Sequence, residues 1–255
     1  MTTTLADYPA EVRDAVARTR AVVSALHAEL PRWELIVWTA GNVSQRVPVQ
    51  ADGTPSDADL FVIKPSGVTY DELTPESMVV CDLDGNLVDG TRSPSSDTAA
   101  HAYVYRHMPH VGGVVHTHST YATAWAARAE PVPCVLTMMA DEFGGDIPIG
   151  PFALIGDDSI GRGIVETLKD SRSPAVLMQN HGPFTIGRDG KAAVKAAAMV
   201  EEVARTVHIS RQLGEPLPIP QEQVDSLYAR YQNVYGQGGP GTGAPAAVNE
   251  KEQHA

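Results

Sequence analysis

Apolar side chains at Val12, Val16, Val22, Val23, Leu26 and Leu30 recur at helical intervals, which predicts an amphipathic helix over residues 11–30. Downstream the pattern changes to short apolar runs bounded by turn residues. Residues 35–44 (LIVWTAGNVS) and 59–67 (DLFVIKPSG) read as strands ending in turns, with a polar surface loop between them. Residues 78–90 read as a hairpin turning at Asp84 and Gly85. Ser95, Ser96 and Asp97 form a capping signal for a helix from Thr98 to Met108. Residues 112–119 (GGVVHTHS) read as a strand leading into a helix over 121–128, and residues 131–137 as another short strand. Residues 140–150 read as a Gly-rich loop running into a strand. A helix near 159–170, a paired strand unit over 175–188, an Ala-rich helix over 189–213 and a last helix over about 220–231 complete the pattern.

Strands dominate the first two thirds and helices are interleaved with them, which predicts one sheet covered by helices. No internal repeat interrupts this order. The 255 residues suit one large domain or two small ones, and one domain over 1–236 is the expectation. From Gly236 the chain becomes rich in Gly, Pro and Ala without periodicity, so residues 237–255 read as a disordered tail.

Composition narrows the function classes. Lys and Arg total 19 against 31 Asp and Glu, a formal charge of −12. A nucleic-acid or anionic-membrane partner would favour the opposite sign, so neither is expected. Any anionic substrate must be held by local groups. No apolar run approaches the ~20 residues of a membrane span. The N-terminal residues lack a basic start and apolar run, so a cytoplasmic setting is the expectation. Cys81 and Cys134 form no metal-binding pair and read as buried, inert thiols.

The chain has nine histidines. His116 and His118 stand two apart in a predicted strand, where alternation sends both imidazoles to one face. The pair alone fits a structural role as readily as chelation. A third imidazole, His181, lies in another apolar strand segment, and three protein ligands with an open position suit catalytic zinc. Asp97 could add a carboxylate. His27, His101, His107, His110, His208 and His254 need no functional account.

Three short segments suit an anion. They are residues 39–44 around Gly41 and Asn42, residues 64–67 with Lys64, Ser66 and Gly67, and the Ser95-Ser96-Asp97 turn. Small residues let backbone N–H groups approach a phosphate, and Lys64 supplies a positive charge. Each segment alone is also ordinary turn or capping chemistry.

In this order, TAGNVS (39–44), VIKPSGV (62–68), SSDT (95–98), GGVVHTHS (112–119), ADEF (140–143), QNHGPF (179–184) and VYGQ (234–237) resemble the class II aldolase and L-ribulose-5-phosphate 4-epimerase family. The resemblance implies a single αβα domain with a mainly antiparallel central sheet flanked by helices. It also implies a cyclic homotetramer with active sites at subunit interfaces. Zinc, or manganese or cobalt, would be held by Asp97, His116, His118 and His181. Gly41, Asn42, Ser66, Gly67, Ser95 and Ser96 would take the phosphate of a small phosphorylated ketose, with Lys64 beside them as the positive charge read above. Asp141 and Tyr235 match the family's acid/base pair, with the tyrosine reaching a neighbouring subunit's site.

Asp97 stands where the family's aldolases tend to carry Glu, which favours epimerisation of L-ribulose 5-phosphate and D-xylulose 5-phosphate. The C4 hydrogen is not adjacent to the carbonyl, so the expected route is retro-aldol cleavage of C3–C4, rotation of the aldehyde and re-addition. Met138 and Met139 precede Ala140 where the best-known epimerases place a histidine. Glu142 replaces a usual aromatic residue, and Leu227 falls near a common histidine position. These departures leave two rivals: a fuculose- or rhamnulose-type aldolase, and a non-enzymatic scaffold of the same fold.

Overall fold

The computed structural model describes residues 4–47 and 59–234. The expected boundary at residue 236, the tail over 237–255 and Tyr235 lie outside the described residues. The first helical pattern becomes α1 (Ala10–His27) and a short α2 (Glu29–Arg32). Among the described residues eight strands follow in one sheet: β1 (Asn42–Arg46), β2 (Leu60–Ile63), β3 (Val79–Asp82), β4 (Leu87–Asp89), β5 (Gly113–His116), β6 (Ile149–Gly150), β7 (Ala175–Met178) and β8 (Gly182–Gly187). Their order is β4-β3-β2-β1-β5-β8-β7-β6. Every neighbouring pair is antiparallel except β6 with β7.

Alternation along the strands builds the layers. Phe61 and Ile63 of β2 face one side, with α3 (Thr98–His107) and α6 (Ser159–Leu168) packed over them and over Val114, Val176 and Phe184. Leu60 and Val62 face the other side, against Val12, Ala15 and Val16 of α1. On that same side α4 (Thr120–Ala127), α5 (Thr137–Phe143) and α7 (Gly190–Leu213) cover Ala175 and Leu177. The helix α8 (Gln221–Val234) packs on α5. The result is the expected αβα sandwich on a mainly antiparallel sheet. Among the described residues no helix is long and apolar enough to cross a membrane.

Several boundaries differ from the sequence expectations. Residues 35–41 are not strand, because Trp38 (φ 59°) and Gly41 (φ 78°) are left-handed and break the extended run. Residues 131–137 make only an isolated bridge, Val132 with Ile147, since Pro131 and Pro133 offer no N–H to a ladder. Residues 140–143, expected as loop, belong to α5, and Gly144 (φ 63°) ends that helix. The strand β5 stops at His116, so His118 lies in the following loop and strand alternation does not orient it. His181 sits in the turn between β7 and β8, after left-handed Asn180 (φ 57°). Cys81 is buried in β3 and Cys134 half-buried, and burial pushes their thiols up to about 12 and about 11. Neither forms thiolate readily at neutral pH.

Candidate metal centre

The site lies where β1, β5 and β8 run side by side. Asn42 of β1 pairs with His116 of β5, and His116 pairs with Phe184 of β8. The His116 ring stacks on Phe184 with centroids 4.1 Å apart. Its Nδ1 donates to the Pro183 carbonyl at 3.0 Å, which leaves Nε2 as a lone pair. His118 Nε2 stands 2.9 Å from that lone pair. The His181 ring centroid is 4.5 Å from that of His116 and 5.3 Å from that of His118. One ligating nitrogen from each of the three lies within 4.8 Å of the others. Burial pulls the His116 imidazole down to about 3 and depresses His118 and His181 as well. Three neutral imidazoles therefore converge on one point.

Asp97, at the N-terminus of α3, borders the same cavity but stands outside the tight triad. Its Oδ2 accepts from Asn42 Nδ2 at 2.7 Å, while Oδ1 is buried without a partner. Burial pushes this carboxyl up, but the facing His116 and His101 rings and the Asn42 amide outweigh it and leave it below the ordinary carboxylate value. His181 Nδ1 is also buried and unpartnered. A carboxylate oxygen and imidazole nitrogens left without donors fit a divalent cation of the zinc type.

The expected anion turns meet at the same cavity, of about 260 Å³. Gly41 and Asn42 enter before and at the start of β1, Lys64, Ser66 and Gly67 follow β2, and Ser95 and Ser96 precede α3. A bridge between Pro65 and Pro94 ties the last two turns together, with Ser66 N–H on the Ser93 carbonyl at 2.9 Å and Ser95 N–H on the Lys64 carbonyl at 3.0 Å. Lys64 is buried, and its Nζ donates to the carbonyls of Thr39 at 3.3 Å and Pro65 at 3.4 Å. Among the described residues it has no carboxylate partner, and burial holds its ammonium below the usual lysine value. A buried cation without a counter-ion beside small-residue turns suits an anionic group.

Residues 21–208 match the model of the class II aldolase and adducin N-terminal domain. The chain belongs to the class II aldolase family. This family member is 40% identical over 222 residues to the L-ribulose-5-phosphate 4-epimerase UlaF of Salmonella paratyphi B, covering 82% of this chain and 94% of that protein. It superimposes on an L-fuculose 1-phosphate aldolase with a TM-score of 0.76 at 26% identity, over 84% of this chain and 96% of that one. The L-fuculose-1-phosphate aldolase of Thermus thermophilus gives a TM-score of 0.62 at 25% identity, over 79% and 99% of the two chains.

Some residues of this class II aldolase family member fall elsewhere than expected. Asp141 does not border the histidine cavity of its own chain. It lies on α5 with Oδ1 buried and unpartnered, not on a solvated loop. Its neighbour Glu142 is buried and pairs with Lys195 Nζ at 2.7 Å. Met139 is core and Met138 exposed. Three residues were missed by sequence reasoning. His101, one turn after Asp97, is fully buried with Nδ1 2.7 Å from Ser44 Oγ. Its signal was the four-residue spacing from Asp97, which places both on one helix face. His27 donates from Nδ1 to the Val23 carbonyl at 2.7 Å and accepts at Nε2 from Val43 N–H at 3.0 Å, locking α1 onto β1 beside Asn42. Ile155, from the loop after β6, borders the cavity and carries no sequence signal.

Proposed function

We propose that this chain interconverts L-ribulose 5-phosphate and D-xylulose 5-phosphate by breaking and remaking the C3–C4 bond. The observation that carries the reading is one cavity joining a buried Lys64, without a carboxylate partner among the described residues, to three converging neutral imidazoles. The 40% identity to a named epimerase supports the same substrate class. In this reading Lys64, Ser66, Gly67, Ser95, Ser96 and the backbone at Gly41 hold the phosphate. Holding that end keeps the two-carbon aldehyde in place while it turns, so recombination outruns escape. A zinc, manganese or cobalt ion held by His116, His118 and His181 with Asp97 would supply Lewis-acid polarisation of the ketose oxygens. Asn42 aligns Asp97 through Nδ2, and its buried, unpartnered Oδ1 can accept from a substrate hydroxyl.

Two proton-transfer groups are then required, one for each face of the aldehyde. We assign them to Asp141 and Tyr235, delivered by a neighbouring copy in a homotetramer. The placement of Asp141 away from its own chain's cavity supports that division.

The test is metal-loaded protein with L-ribulose 5-phosphate and product identification. D-Xylulose 5-phosphate should accumulate without free dihydroxyacetone or glycolaldehyde phosphate. The structural likeness to an L-fuculose 1-phosphate aldolase favours a second reading, cleavage with product release. Free fragments as the main products would establish it, and no turnover of any ketose phosphate would remove both.

A further inference from the structure

The helix α4 starts two residues after His118, and its start is capped from an unusual place. Ser119 is the N-cap residue, yet its side chain makes no capping hydrogen bond. An N-cap side chain ordinarily accepts from the second or third helical N–H. Here those two donors, Tyr121 N–H and Ala122 N–H, give to Glu201 Oε1 at 2.9 Å and Oε2 at 3.0 Å. Glu201 belongs to α7, 79 residues beyond Ala122 in the chain. Its carboxylate has no cationic partner among the described residues; the nearby Arg205 pairs with Glu202 instead.

This clamp bears on the metal centre because His118 has little else to fix it. His116 is held by the sheet, by the Pro183 carbonyl and by Phe184. His118 lies past the end of β5, and among the described residues its Nδ1 makes no hydrogen bond. The loop that carries it is anchored by the last pair of β5 and by Thr117 N–H on the Pro183 carbonyl at 3.2 Å on one side, and by the first turn of α4 on the other. We infer that Glu201 is a positioning residue for His118, holding the start of α4 so that the imidazole stays aimed at the ion. Two charge-assisted hydrogen bonds and the positive end of the helix act together at that anchor.

The inference rests on the metal reading of the histidine triad, and its test separates the two. Zinc affinity is measured by chelator competition for wild type, Glu201→Ala and Glu201→Gln, beside amide exchange at Tyr121 and Ala122. The control is Asp189→Ala, which removes a similar cap from Ala192 N–H at the far end of β8 from His181. Glu201→Ala should bind zinc about 10-fold or more weakly, within the range for residues that orient a ligand. Exchange at Tyr121 and Ala122 should quicken. Glu201→Gln keeps one acceptor and should recover part of the affinity, which keeps the test open if the alanine variant does not fold. Asp189→Ala should lower Tm and leave zinc affinity unchanged. Wild-type affinity in both Glu201 variants overturns the positioning role while the metal site stands. A wild-type chain that binds no divalent ion overturns the metal reading, and this inference with it.

Discussion

Enclosure keeps the rings of His27 and His101 neutral, and neutrality lets His27 accept a backbone N–H while donating to a carbonyl. Burial pulls His27 down to about 3 and His101 to about 4, against 6.5 for a free imidazole. The unfolded chain therefore takes up protons below pH 6.5 that the folded chain refuses. Stability is full above 6.5 and falls as pH drops towards those lower values, by at most about 1.4 kcal/mol per pH unit for each ring. Urea unfolding at pH 7 and pH 5.5 should show that decline. In His27→Gln, which keeps a donor and an acceptor but does not titrate, the decline should be shallower. An unchanged slope would remove His27 from the account. Nothing in the spacing of histidines along the chain distinguishes His27 from an exposed residue of the same helix, because its burial depends on β1 lying beside it.

At the scale of elements, the approach of β1 to β5 decides the shape of the site. Gly41 has φ 78°, and a Cβ there would meet Ile36 Cγ2 at 2.7 Å and the His116 carbonyl at 2.8 Å. Gly67 has a similar φ of 69° but open space around it. Gly41→Ala should therefore cost stability by about 1–3 kcal/mol and weaken metal binding, since the strained position lies against His116 itself. Gly67→Ala should lose stability without changing zinc affinity. Equal zinc affinity in the two variants would show that the strand contact does not shape the centre. Sequence pattern revealed β2 and β3, whose fully buried side chains alternate between two cores, and the hairpin between β3 and β4. It also revealed α3, α6 and α7, whose apolar positions keep helical spacing. Residues 35–41 and 140–143 differ from the expectation because left-handed residues and a Gly stop decide their structure. The anion turns and the three histidines were legible as motifs. Their convergence was implied only by the family resemblance, because in the chain's own pattern it depends on strand order.

Taken as a molecule, the chain sets a lysine-lined cavity in an acidic whole. Its formal charge is −12, yet the cavity holds a buried lysine, so substrate affinity depends on local geometry more than on the long-range field. Asp141 does not border the histidine cavity of its own chain, which makes the proposed sharing of a site between copies directly testable. His116→Ala and Asp141→Asn should each be nearly inactive alone. Mixed after dissociation and reassembly, they should regain about a quarter of wild-type activity, the random share of interfaces with both halves intact. No recovery on mixing would place both halves in one chain.

The pairings of Asn42 with His116 and of His116 with Phe184 also set an order of assembly. Hairpins such as β7–β8 close over short loops, whereas β1, β5 and β8 join segments distant in sequence and meet their loop-closure entropy first. Until that zipper closes, His181 is too far from His116 and His118 for the three to share an ion. A growing chain that has not yet exposed His181 has no complete centre to load. On the metal reading proposed above, the ion is acquired by the finished fold, and each tenfold rise in free ion above the dissociation constant adds about 1.4 kcal/mol to the native state alone. Metal supply thereby becomes a control on how long the folded protein survives, separate from its control on turnover.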